Sequence, residues 1–197
     1  MPLLETDRCV LIVVDLQPGF YVNRDDVEEE AFSAVVDSAA RLVGLARALS
    51  VPVVATEEEP ELNGGTAVEV VERLPAGSAV LPKPVFDLSA DDELRATVER
   101  TGRSHAVLVG LETDVCVLHS AVGLLERGFR VSAVVDALYS PGPDHMSGLE
   151  RMRAHGVDLL TAKSVFYDWL RTPAAARRLR DQHPDIAPTA NHLAESG

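Results

Sequence analysis

The sequence has only two cysteines, Cys9 and Cys116. Two thiols cannot build a disulfide framework, so stability must come from a packed core, and a reduced cytoplasmic chain is expected. Aromatic residues are also scarce, at 5%. Basic residues are outnumbered, with 18 Lys and Arg against 31 Asp and Glu, a formal net charge of −13. A surface of that sign repels phosphate backbones and anionic lipid, which argues against nucleic-acid and membrane-surface roles. Long apolar runs are missing too. The longest, such as Val10–Val14, have strand length and cannot span a bilayer. The first seven residues are polar and acidic, and no targeting segment is expected.

What is present is an ordinary globular composition over 197 residues, with 46% hydrophobic and 25% charged residues. That length suits one domain with one large core. Short apolar, β-branched runs recur at Cys9–Val14, Val51–Thr56, Ala79–Leu81, Ala106–Val109, Val131–Val135 and Val157–Thr161. They read as strands buried on both faces. Amphipathic stretches lie between them. Phe32, Val35, Val36, Ala39, Leu42, Val43, Ala46 and Leu49 form one helical stripe. Ser89–Asp92 resembles a capping box opening a second helix through Leu94 and Val98. Val115, Leu118, Val122 and Leu125 mark a third, closed near Gly128. Strand–helix alternation with two-sided burial predicts α/β class: a three-layer α/β/α sandwich around a six-stranded parallel sheet. The domain is expected to occupy residues 1–170. Residues 171–197 open as an Ala-rich basic helix after Pro173, with little to pack on within one domain, and end in a polar tail. That segment is expected to be partly disordered or to pack on another subunit.

Parallel sheets bind ligands beyond the carboxyl ends of their strands. A polar residue directly after an apolar strand is therefore a site candidate, and one before a strand is not. Asp15 passes this filter after the first strand, although a turn cap would look the same. Lys83 follows the third strand between Pro82 and Pro84, whose rings stiffen the backbone that aims it; alone it would read as a surface lysine. Cys116 falls in the first turn of the helix after the fourth strand, where free N–H groups and the helix dipole favour a thiolate and could hold an oxyanion. The competing reading is a small core residue, which is how Cys9 is read. Together, a thiol, a carboxylate and an ammonium at one sheet edge form a coherent nucleophilic set. Lysine would stabilise the thiolate, and aspartate would accept and return the proton.

At these positions the sequence resembles the isochorismatase-like family of cysteine hydrolases, over roughly residues 8 to 170. The matching segments are Leu11–Gln17 with Phe20, Val51–Glu57, Lys83 with Phe86, Gly110–Val117 continued by Ser120 and Ala121, then Gly128–Val131 and Val135–Ala137. The resemblance implies a Rossmann-like hydrolase fold with a catalytic triad of Asp15, Lys83 and Cys116. It also implies a cis peptide at Leu111–Glu112, which would turn the Glu112 N–H to join that of Cys116 in an oxyanion hole. Nicotinamidases of the family hold a metal through an Asp and two His after the second strand. Here Thr56–Glu61 has no histidine, so no metal and no cofactor are expected. Isochorismatases proper, which cleave an enol ether, typically lack the cysteine, so Cys116 points to an amide or related acyl substrate. The nearest likeness is to a branch of the family without an agreed substrate. The resemblance further implies a homo-oligomer.

Phe20, Glu57, Phe86, Thr113 and Tyr139 are the candidates for lining a small-molecule pocket, while Phe166 suits the core or a subunit contact. His119 lies three residues after Cys116 and could share its helix face, although Lys83 and Asp15 already fill the activating roles. His145 and His155 read as helix-surface residues, Asp136 as structural or pocket rim, and Glu57, Glu58, Glu59 and Glu61 as a solvated acidic loop. The readings that compete with a thioester-forming hydrolase are noncovalent enol-ether hydrolysis, a redox-sensing thiol and a non-catalytic member kept for assembly.

Overall fold

The computed structural model describes residues 3–22 and 24–187. In chain order the elements are β1 (Cys9–Val14), α1 (Glu29–Ala48), β2 (Val53–Glu57), α2 (Pro60–Asn63), α3 (Val68–Val71), β3 (Ala79–Pro82), α4 (Asp92–Arg100), β4 (His105–Leu111), α5 (Leu118–Glu126), β5 (Arg130–Tyr139), α6 (Asp144–Ala154), β6 (Asp158–Leu160), α7 (Ala162–Leu170) and α8 (Pro173–Gln182). All strand pairs are parallel, in the order β3-β2-β1-β4-β5-β6.

Why the strands read as unbroken apolar runs is visible in β1. Alternate side chains leave a strand on opposite faces. Cys9, Leu11 and Val13 join the core layer that includes α1, α7 and α8, and Val10, Ile12 and Val14 join the layer of α4, α5 and α6. Both faces are covered, so neither parity can be polar. The helix signals also hold, with one adjustment. Asp91 rather than Ser89 caps α4, its Oδ1 accepting from the Glu93 and Leu94 N–H groups at 2.9 and 3.0 Å. Ser89 belongs to a preceding 3₁₀ turn, Leu88–Ala90, whose own cap is Asp87.

The chain leaves β1 in one direction to build β2 and β3, then returns to place β4 on the other side of β1. This reversal creates a crevice at the carboxyl ends of β1 and β4. The two strands approach closely there. Gly110 pairs with Val14 at φ 122, and a Cβ at Gly110 would lie 1.9 Å from the Val14 carbonyl oxygen. Only glycine tolerates both conditions.

The C-terminal helix departs from expectation. Ala176 and Leu179 of α8 are buried against this chain's own core, and so is Ile186 beyond it. The helix therefore has an intramolecular partner, and its lack of one is no longer a reason to expect a second subunit. The tail from 188 onward lies outside the described residues. Asp136 does not end β5. It sits exposed at an irregularity midway along the strand, and its Oδ1 accepts from the Ala162 N–H at 2.7 Å at the start of α7, which makes it structural.

Candidate active site

Asp15, Lys83 and Cys116 converge. Asp15 follows β1 in a left-handed conformation, φ 46, which is costly for a non-glycine residue and persists only where its surroundings impose it. Its N–H donates to the Thr56 carbonyl at 3.1 Å, and the Thr56 hydroxyl donates to its Oδ1 at 2.7 Å. Lys83 is aimed by the backbone beyond β3, where its N–H donates to the Glu57 carbonyl at 2.7 Å. Its side chain is fully buried. Nζ lies 2.8 Å from Asp15 Oδ2, 2.6 Å from the Val85 carbonyl oxygen and 3.4 Å from Cys116 Sγ.

Cys116 sits in a single π-type turn, Thr113–Val117, where the Val117 N–H reaches back five residues to the Glu112 carbonyl at 3.1 Å. Such turns recur at functional sites because the extra residue re-aims a side chain. Helix α6 packs tightly on this turn. A Cβ at Gly148 would lie 2.7 Å from Asp114 N. Ser140 Oγ donates to Asp114 Oδ1 at 2.6 Å, and Thr113 Oγ1 lies 2.9 Å from His145 Nδ1. The nucleophile's turn is thus held from outside by the polar groups that follow β5.

One expectation for this turn is corrected. The Leu111–Glu112 peptide is trans, and there is no cis bond among the described residues. Glu112 is extended, φ −80 and ψ 147, and β4 runs directly into the turn. The groups around Cys116 weigh against a resting thiolate. Burial pushes its pKa well above the ordinary cysteine value, and Asp15 raises it next. Lys83 pulls it down, but hydrogen bonding to Glu58 and the charge of Glu58 raise it further. One ammonium among two carboxylates does not stabilise a third anion. Accordingly, Sγ donates to Glu58 Oε2 at 3.0 Å.

Glu58 was read as part of a solvated acidic loop. It is instead the fourth group at the centre, with Oε2 3.5 Å from Lys83 Nζ. Asp15, Glu58 and Cys116 together have the spacing of a metal-binding set. Those atoms surround the Lys83 ammonium, which already supplies the positive charge that such a set would otherwise call for. Burial works against that ammonium, but Asp15 and then Cys116 outweigh it and hold its pKa above the ordinary value. Burial also lifts Asp15 above the usual carboxylate range, although Lys83, Thr56 and Cys116 pull it back.

The pocket candidates fare less well. Glu57 turns its carboxylate onto Thr66, accepting from its N–H and hydroxyl at 2.7 and 2.8 Å. Thr113 is buried against His145, which is half-buried rather than on the helix surface. The Tyr139 ring packs edge-on to Tyr21 and Phe32, and its hydroxyl accepts from the Glu28 N–H at 3.0 Å. Phe86 is 53% exposed, with its ring 5.9 Å from that of His119, which is itself exposed. Phe20 is partly buried beside Tyr21, their ring centroids 6.4 Å apart. Phe166 is core. Sequence reasoning missed Thr56, Gln17 and Tyr21. The Tyr21 hydroxyl donates to Glu112 Oε1 at 3.4 Å, and Arg24 approaches the same oxygen at 3.8 Å. Tyr21 could have been found from its place beside Phe20 after β1; nothing distinguished Gln17.

A family model described as the isochorismatase domain matches residues 9–164. The chain is 33% identical over 167 residues to Isochorismatase domain-containing protein 2A of Mus musculus, covering 84% of this chain and 76% of that one. It spans only 47% of the length of another curated relative. Among solved structures, it superposes on the MAR1 ribonuclease of Caenorhabditis elegans with a TM-score of 0.83 and 26% identity, covering 100% and 98% of the two chains. It also superposes on the YcaC gene product of Escherichia coli, described as an octameric hydrolase of unknown specificity. There the TM-score is 0.80 and the identity 23%, over 94% and 93% of the chains, a likeness of fold alone. No helix among the described residues is long and apolar enough to cross a membrane.

Proposed function

The chain belongs to the isochorismatase family of hydrolases, and on that premise we propose that it cleaves a small-molecule amide or related acyl compound through a covalent thioester on Cys116. One observation carries this reading: Cys116 Sγ lies 3.4 Å from a buried lysine that is itself paired at 2.8 Å with a buried aspartate. Each of the three follows a different strand, with Asp15 and Cys116 after the two strands between which the sheet order reverses and Lys83 reaching in from the edge strand.

The chemistry follows from that placement. As the thiol loses its proton, the Lys83 ammonium stabilises the charge developing on sulfur. Asp15 and Thr56 hold the ammonium in place. Sulfur attacks the substrate carbonyl, and the Cys116 N–H is the candidate donor for the resulting oxyanion, since a trans Leu111–Glu112 bond does not turn the Glu112 N–H to join it. Collapse of the adduct expels the amine or alcohol with a proton and leaves the thioester, which water then hydrolyses to restore the thiol. The centre needs no metal or cofactor for these steps.

The net charge of −13 disfavours a polyanion and favours a small substrate over RNA. The two free cysteines fit a reducing compartment such as the cytoplasm. A homo-oligomer is the expected assembly.

The test is a panel of small amides, ureido compounds, esters, isochorismate and an RNA oligonucleotide, with intact-protein mass spectrometry. The expected result is turnover of an acyl compound, an acyl adduct on Cys116, and no turnover by Cys116→Ser. Full activity in Cys116→Ser would remove the nucleophile from the mechanism and favour direct attack by water, as in enol-ether cleavage.

A further inference from the structure

We propose that Glu58 is the proton acceptor of Cys116, so that the centre is a tetrad of Asp15, Glu58, Lys83 and Cys116 in which Glu58 rather than Asp15 takes the thiol proton. Three observations point the same way. The thiol donates to Glu58 Oε2 at 3.0 Å. Asp15 is held otherwise: Oδ1 receives the Thr56 hydroxyl at 2.7 Å, and Oδ2, in an ion pair with Lys83 at 2.8 Å, accepts no hydrogen bond from the thiol. Glu58 is also placed by a device of its own. The fully buried Gln17 side chain clamps its backbone at both ends, Oε1 accepting from the Glu58 N–H at 2.7 Å and Nε2 donating to the Glu58 carbonyl at 3.1 Å. The next residue, Glu59, turns the chain away at φ 41, a conformation that a non-glycine residue adopts only under constraint. An acidic loop left to solvent needs neither feature.

Exposure separates the two carboxylates. Asp15 is fully buried, whereas the Glu58 side chain is 20% exposed. Glu58 can therefore follow a proton from the sulfur to a group arriving from the open side. The step balances as follows. The S–H proton passes to Glu58 Oε2 while the S–C bond forms and the carbonyl π electrons move to oxygen. When the C–N bond breaks, the electron pair leaves with nitrogen, and the proton on Glu58 goes with it. The thioester remains and Glu58 is again a carboxylate. The fate of the proton after attack rests on the hydrolase reading; its acceptor in the resting protein does not.

The charged groups facing the sulfur are Asp15, Lys83 and Glu58. On its own turn, Asp114 is bound by Ser140, and Glu112 by Tyr21 and Arg24. The test is a pH titration of the full chain by ultraviolet thiolate absorbance, with the Cys116→Ser trace subtracted to remove Cys9. No substrate is needed and the thiol need not be reached by a reagent. Glu58→Gln keeps the shape and removes the acceptor and its charge, so the Cys116 midpoint should fall by about 1–3 pH units. Glu57→Gln, whose carboxylate lies on Thr66, controls for charge alone and should move it far less. A Glu58→Gln midpoint equal to or above that of the unmodified protein, or an equal fall in Glu57→Gln, overturns the proposal. Absence of turnover in the substrate panel would count against the hydrolase reading while leaving this titration intact.

Discussion

The Lys83–Asp15 pair is the sharpest point of tension among single residues. Both side chains are 0% exposed. Removing the ammonium leaves a carboxylate with no route to water, and breaking such pairs costs about 3–5 kcal/mol. Lys83→Met should therefore destabilise the fold at neutral pH, and the sign of its pH dependence is fixed. Asp15 already titrates above its ordinary value because of burial, and the loss of Lys83 drives it higher. A carboxyl raised in the folded state favours folding when protonated, so the deficit should grow as pH rises from the unfolded carboxylate value, about 3.9, through the folded one. It should shrink on acidification. Thermal unfolding of both proteins from pH 4 to pH 8 checks this, and a deficit independent of pH would count against Asp15 as its source. The triad itself was legible in the sequence, because position after a strand singles out Asp15, Lys83 and Cys116. Glu58 was not. Five consecutive positions from Glu57 to Glu61 hold four glutamates, and composition does not say which one turns inward. The structure decides it through Thr66, which takes Glu57, and Gln17, which fixes the backbone of Glu58. The same crowding bears on the thiolate expectation: a helix N-terminus and one lysine were visible, and the second carboxylate, which weighs against the thiolate, was not.

At the scale of elements, the site depends on how closely β1 and β4 approach. The parity of β1 and the six apolar runs made the sheet and its two layers readable, since a strand covered on both sides has no polar parity. The crossing at Gly110 was readable only as a strand end, because the contact belongs to the register of two strands and to neither alone. Gly110→Ala is predicted to destabilise by more than about 1 kcal/mol. The methyl group would meet the Val14 carbonyl, and φ 122 is closed to alanine. The change should also displace Asp15, the residue after Val14, so activity should fall more than stability alone explains. Chemical denaturation, together with thioester yield under conditions where the variant is fully folded, separates the two effects. Unchanged stability would mean that the two strands can move apart at no cost. The cis bond expected two residues later illustrates the opposite limit. It was carried by resemblance, not by any residue pattern, and the extended Glu112 shows how the strand reaches the π-type turn without it.

For the whole molecule, the formal charge of −13 sets the terms on which copies can meet. The apolar face of α8 is satisfied within the chain, so it gives no reason to expect a second copy there. Exposed apolar side chains are available at Leu62, Val68, Val71, Val80 and Phe86, from 38% to 76% exposed. Burying such groups between copies would be favourable at about 25 cal/mol per Å² of apolar area. Bringing together two bodies of the same net sign opposes it, over a range that shortens from about 30 Å at 0.01 M salt to 8 Å at 0.15 M. An apolar contact between like-charged copies should therefore tighten as salt is added, whereas one held by ion pairs would loosen. Light scattering at micromolar concentration in low and in moderate salt distinguishes these cases. The expected outcome is an oligomer, at least a dimer, whose population rises with salt. A stable monomer in both conditions would remove the homo-oligomer from the account and leave the site complete within a single chain, as the distances among Asp15, Glu58, Lys83 and Cys116 allow.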